Sequence, residues 1–163
     1  DQAQLWRCTD CFGQPVYCRT CTLDAHRYLP FHRIESWQQP STLGKVIAEN
    51  FAEAAPKRFG FFQRTSLYHL GLSVGLGHDG NSCPRTASTF ELNILDVSGQ
   101  HVIRFSDCLC NSRERWELLL NSQIYPATEI DPRTGFTFRV LEHQQTSNLR
   151  GKTSLHEYYQ MLV

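Results

Sequence analysis

The feature that most constrains this chain is a ladder of metal-ligating residues near its start. Cys8, Cys11, Cys18, Cys21, His26 and His32 follow the spacing C-x2-C-x6-C-x2-C-x4-H-x5-H. Each short pair sets two donors on one side of an ion, and a second pair closes a tetrahedron, so the spacing points to zinc. A disulfide framework would account for the thiols and leave both histidines without a role. Three pairs make one and a half sites, and two arrangements follow. In a cross-brace, Cys8 and Cys11 join His26 and His32, while Cys18 and Cys21 need another pair upstream of residue 1. Alternatively the four cysteines close one site and the histidines are left over.

A second cluster lies further along, as His78-x4-Cys83 and Cys108-x-Cys110. On a strand, Cys108 and Cys110 fall on one face. His78 and Cys83 flank a turn, and a hairpin would bring the two pairs together as a second structural zinc site. Both clusters offer four protein donors, the closed pattern of structural zinc; a catalytic zinc keeps one position open. The carboxylates, Asp96, Asp107, Glu114, Glu129 and Asp131 among them, show no recurrent spacing. Nucleophile-elbow, His-Glu-x2-His and serine-triad signatures are missing, so the chain is expected not to be an enzyme. Gly71, Gly75 and Gly77 have the wrong spacing for a nucleotide loop.

Between these clusters the pattern reads as a chain with a real core. Of 163 residues, 40% are hydrophobic and 12% aromatic, which argues against disorder. The expected layout is a zinc finger over 1–37, a linker with a helix over 38–60, and a zinc-containing α+β domain over 61–163. In the linker, Leu43, Val46, Ile47, Phe51 and Ala54 recur at helical spacing until Pro56. Residues 70–78 alternate as a strand should. Phe90–Leu95 and His101–Phe105 read as a hairpin turning at Ser98-Gly99. Residues 112–123 read as a helix capped by Ser112, with Trp116, Leu119, Leu120 and Gln123 on one side. Residues 136–141 begin as strand and continue plausibly as helix to Leu149. A last helix from Ser154 turns Leu155, Tyr158, Tyr159 and Leu162 inward. Trp37 is expected to cap the small core of the finger.

Charge bounds the partners. The formal net charge is zero, and residues 1–37 carry four arginines against four acids. Nucleic-acid binding draws most of its affinity from cations meeting phosphates, so no basic stripe announces it. The candidate DNA contacts are Arg7, Arg19, Arg27 and Arg33. No apolar run approaches the roughly 18 residues of a membrane span, and no small-molecule substrate is indicated. Seven cysteines at ligand-like spacing imply a reducing compartment, cytosol or nucleus. The chain opens Asp1-Gln2-Ala3-Gln4 without an initiator methionine, and its last helix runs to Val163 without a cap. Both are expected of a fragment.

The order of motifs resembles a known family. Arg7-Cys8-x2-Cys11, Cys18-x2-Cys21, His26 and Leu29-Pro30-Phe31-His32-Arg33-Ile34-Glu35-x-Trp37 come first. Phe61-Phe62, Leu70-Gly71-Leu72, Leu76-Gly77-His78-Asp79-Gly80, Cys83-Pro84, Cys108-x-Cys110, Tyr125-Pro126-Ala127-Thr128 and Gly151-Lys152-Thr153-Ser154-Leu155 follow. Over about residues 7–163 this resembles the CxC-type cysteine cluster found N-terminal to Kyakuja–Dileera–Zisupton (KDZ) transposases of basidiomycete and other fungi. The cross-brace order also resembles B-box-like fingers. The resemblance implies a nuclear, non-catalytic accessory region, with the transposase catalytic domain downstream. It also implies a further Cys-x2-Cys upstream, which would give a third zinc in a full-length chain, and it makes residues 38–60 an insertion. Partners implied are DNA at transposon ends, a chromatin protein or a second copy; the alternative is a B-box-like protein-interaction module without DNA contact. The fold expected is α+β and zinc-stabilised: a small cross-brace finger, then a mixed domain with a short antiparallel sheet, a second zinc site and C-terminal helices.

Overall fold

The computed structural model describes residues 4–39, 60–78, 80–81, 83–110 and 113–163. The helix expected over 43–54 lies outside these residues. Apolar alternation in short runs builds two sheets. The first contains β1 (Trp6–Cys8), β2 (Val16–Tyr17), β3 (Ile34–Gln38) and β4 (Phe61–Thr65), in the order β2-β1-β3-β4 and antiparallel throughout. Helix α1 (Arg19–Ala25) stands between β2 and β3. β4 enters after the linker and completes the finger's sheet, pairing Phe62 with Trp37, whose rings meet edge-on with centroids 5.0 Å apart.

The second sheet is larger than expected, and it is mixed. It holds β5 (Ser73–Gly75), β6 (Thr86–Asp96), β7 (Gly99–Cys108), β8 (Ile124–Pro126) and β9 (Thr134–Thr137), in the order β5-β7-β6-β9-β8. β6 and β7 form the expected hairpin, which turns at Gly99 with a φ of 121° that a side chain would strain. β5 runs parallel to β7, and β9 runs parallel to β6. The strand expected over 70–78 is reduced to Ser73–Gly75. Ahead of it, Ser66 accepts the His69 amide and Gly71 closes the turn in the left-handed region, so Leu67–Leu70 coil into a short helix, α2.

Three further helices complete the chain: α3 (Arg115–Asn121), α4 (Phe138–Gly151) and α5 (Leu155–Leu162). Glu114, not Ser112, occupies the N-cap of α3, and Glu117 reaches back to the Glu114 amide at 2.9 Å. Leu118 and Leu119 are its buried residues; Gln123 lies past the helix end at φ 61°. In α5 only Tyr158 is buried. Leu155 and Tyr159 are exposed and Leu162 is half-buried; Tyr158 anchors the helix, its Oη bonding His143 Nδ1 at 2.7 Å. No helix among the described residues is long and apolar enough to cross a membrane.

Two cores hold these layers. Leu92, Ile94, Ile103, Phe105 and Leu119 fill the space under the mixed sheet, each contributing roughly 1.5–3 kcal/mol of burial. Cys8, Ile34, Leu67, Leu70 and Leu72 form the core of the finger side, and Val74 packs against both. Gly75 pairs with Gly80 in a narrow bridge, and a Cβ on Gly75 would run into the Asn81 backbone carbonyl. Gly75→Ala is expected to destabilise by about 1–3 kcal/mol, the usual cost of overpacking, measured by denaturant midpoint. An unchanged midpoint would show that the bridge does not constrain this loop.

Candidate metal centres

Register explains why four donors meet at each centre. Cys8 ends β1 opposite Ile34 of β3, and His32 lies two residues before Ile34, so both reach the same end of the ladder. Cys11 sits on the turn after β1, held where its amide donates to Cys8 Sγ at 3.3 Å. Asp10 clamps that turn onto the histidine segment by pairing with the Arg33 guanidinium and accepting the Arg33 amide at 2.6 Å. The Arg33 guanidinium accordingly holds the Asp10 carboxyl below its ordinary range. His26 is the C-cap of α1 and is fully buried. Its Nδ1 lies 2.8 Å from the Thr22 carbonyl, which can only accept, so Nδ1 carries the proton and Nε2 keeps a free lone pair.

These donors converge. His32 Nδ1 is 3.4 Å from both Cys8 Sγ and Cys11 Sγ, and His26 Nε2 is 3.7 Å from Cys11 Sγ. Around a tetrahedral zinc, with bonds of about 2.0–2.3 Å, neighbouring donors stand roughly 3.3–3.8 Å apart. The first cluster fits that cage. Burial and the neighbouring Cys8 push the Cys11 thiol up to about 11 when no ion is bound, so metal must displace its proton. Burial, with His26 alongside, likewise lowers the pKa of His32, favouring the neutral ring that ligates.

At the second centre, Cys108 ends β7 between two neighbours. On one side Gly75 of β5 pairs with Ser106, and the loop that follows carries His78 back. On the other side Thr86 of β6 pairs with Cys108, which places Cys83 just ahead of it. The pairs are thus joined by a parallel ladder as well as a hairpin. His78 Nε2 lies 2.9 Å from Cys108 Sγ, and Cys83 Sγ lies 3.5 Å from both Cys108 and Cys110. No sulfur pair approaches the roughly 2.05 Å of a disulfide, and none of the seven cysteines is disulfide-bonded. Backbone amides face the sulfurs, Arg85 N to Cys83 at 3.2 Å and Cys110 N to Cys108 at 3.2 Å. Burial raises the Cys83 thiol, but the Arg85 amide and the neighbouring Cys110, Cys108 and His78 outweigh it and bring it to about 7.

Within each centre the ligand atoms all lie within 4.8 Å of one another. The sets are Cys8, Cys11, His26, His32 and His78, Cys83, Cys108, Cys110; both can hold a metal ion and are consistent with zinc. Cys18 and Cys21 stand outside, exposed together at the start of α1. The grouping is therefore the one in which Cys8 and Cys11 meet the histidines. The Cys21 amide and thiol draw the Cys18 thiol below its ordinary value, and the Cys18 side chain raises that of Cys21.

The four candidate arginines are all engaged. Arg7 pairs with Glu35 at 2.7 Å and lies over the Phe62 ring, Arg27 pairs with Asp24 at 3.2 Å, and Arg33 pairs with Asp10. Arg19 donates to the Leu70 carbonyl at 2.8 Å.

Comparison with known proteins now bears on this geometry. The family model described as "CxC2 like cysteine cluster associated with KDZ transposases" matches residues 67–163. The chain belongs to this family. The CxC2 match takes in the whole second centre, from His78 to Cys110, and the strands that position it. The first centre precedes the matched residues. No curated protein and no solved structure matches the chain.

One buried group escaped sequence reasoning. Asp96, 1% exposed, accepts from Ser98, Thr137 and Arg139 at the point where β6 turns into β7. Ser98 Oγ also stands 3.2 Å from the Phe31 carbonyl oxygen, which sets this knot beside the loop that carries His32. The available signal was an acid two residues before a serine at a hairpin turn, facing a helix-capping threonine.

Proposed function

We propose that this chain is a non-catalytic, zinc-stabilised accessory region of a KDZ-type transposase that supports DNA transposition in the nucleus. The observation that carries this reading is the pair of closed four-donor clusters in a chain of the CxC2 family. Donor sets with no open position build structure instead of activating water. Cys18 and Cys21, exposed and outside both clusters, suit a third zinc completed by another cysteine pair in the full-length protein.

The charge arrangement favours assembly over direct DNA contact. Three of the four candidate arginines already face an acid, so a phosphate would have to displace an internal partner from each. The finger then acts in the manner of a B-box-like module, contacting a chromatin protein or a second copy. A mobility-shift series with random and terminal-repeat DNA tests this. Little binding, with little dependence on salt, is the expected result. A steep loss of affinity with rising salt, the signature of several released counterions, would overturn the assembly reading and reinstate DNA contact.

A further inference from the structure

The two donor clusters lie in different sheets, yet their ligand loops touch. His26 of the first cluster is followed immediately by Arg27 and Tyr28. Asn81 stands between His78 and Cys83 of the second. Tyr28 Oη donates to Asn81 Oδ1 at 3.0 Å, and Arg27 Nη1 reaches the same oxygen at 3.3 Å. The contact is also tight in the backbone. A Cβ on Gly80 would stand 3.2 Å from the Tyr28 ring and 3.4 Å from the Arg27 carbonyl. Gly80 in turn bridges to Gly75, and the Asn81 amide donates to the His78 carbonyl at 2.9 Å. Whatever fixes Arg27 and Tyr28 therefore also fixes the loop that presents His78 and Cys83.

We propose that the two metal centres are energetically coupled through this contact, with Tyr28, Arg27 and Asn81 as positioning residues. The inference rests on both clusters holding metal ions. Closing the first site anchors His26, and with it the two side chains that grip Asn81. The second site then binds to a loop already ordered, so less conformational entropy opposes it. Linkage makes the effect reciprocal: occupation of the second site must tighten the first by the same factor. Tyr28 is 62% exposed, so the coupling belongs at the low end of the usual range, about fivefold to tenfold.

Cobalt(II) titration of the whole chain tests the coupling, since one centre offers two thiolates and the other three, and thiolate charge-transfer absorption separates them. Cys11→Ser disables the first centre and is expected to weaken cobalt binding at the second by about fivefold or more. With Tyr28→Phe and Asn81→Ala also present, Cys11→Ser is expected to leave the second centre's affinity unchanged. Because Cys11→Ser also loosens the finger, a second arm keeps every ligand. Asn81→Ala alone retains all eight donors and is expected to turn cooperative release of two ions to a chelator into independent release. Two ions bound independently by the wild-type chain would overturn the coupling and leave the metal reading intact. Equal weakening with and without the contact residues would overturn it too. A wild-type chain that takes up no metal overturns both.

Discussion

Removing metal with a strong chelator is expected to cost this protein the whole of its N-terminal sheet. The finger side has a small core, Cys8, Ile34, Leu67, Leu70 and Leu72, in which a metal donor is itself a core residue. Structural zinc contributes on the order of 10–16 kcal/mol to the folding of finger peptides. A domain's entire net stability is about 5–15 kcal/mol. No rearrangement of a core this size offsets such a loss. The mixed sheet is better provided: Leu92 and Ile94 are fully buried in β6, and Ile103, opposite Leu92, and Phe105, opposite Phe90, join the same cluster from β7. Hydrogen exchange should therefore show amides of β1 and β3 exchanging freely after chelation while the middle of β6 and β7 stays protected. Native mass spectrometry before chelation should count two ions; Cys8→Ser should remove one and Cys108→Ser the other. Exchange that is identical with and without chelator would mean that both clusters are ordinary thiol-rich core.

How much of this was legible in the sequence depends on whether the information was local. The donor ladder could be read because metal sites use short, recurrent spacings, and the β6–β7 hairpin because its alternation flanks a glycine turn. The start of α5 was marked by Ser154 and Glu157, which form a capping box. The parallel pairings of β5 with β7 and β9 with β6 could not be read. They join segments about 30 to 40 residues apart, and no local period encodes which strand a three-residue run will choose. The sheet was accordingly expected smaller than it is. The same distance effect hid the contact between the clusters: Tyr28 and Asn81 look like ordinary loop residues until the register of two sheets brings them together. For α5 the amphipathic pattern misled. A period of 3.6 shows which residues share a face, but only packing decides whether that face is covered, and here Tyr158 is buried, Leu162 half-buried, and Leu155 and Tyr159 exposed.

Asp96→Asn is expected to lower stability by roughly 3 kcal/mol at neutral pH, a fall in melting temperature on the order of 10 °C. The carboxylate accepts from the Ser98 hydroxyl at 2.6 Å, the Ser98 amide at 3.0 Å, Thr137 Oγ1 at 2.8 Å and the Arg139 guanidinium. Every neighbour is a donor, so an amide NH2 in place of either oxygen confronts a donor with a donor. Thr137 also caps α4 through the Val140 amide, so its displacement loosens that helix as well. Burial raises the Asp96 carboxyl, but Arg139, Ser98 and Thr137 outweigh it and hold it at about 2. That lowering corresponds to about 2 kcal/mol, less a discount because Arg139 is 63% exposed. Because the folded pKa lies below the unfolded value of about 3.9, the unfolded chain binds the proton first. The contribution is full above about pH 5 and disappears as pH falls through 4 towards 2. Metal ligands protonate alike in wild type and variant, so the difference between the two isolates the carboxylate. That difference should stay flat from pH 7 to about 5 and narrow below about 4. If it narrows already between pH 7 and 6, a histidine such as neighbouring His101, which burial holds below its ordinary pKa, carries the effect in place of Asp96.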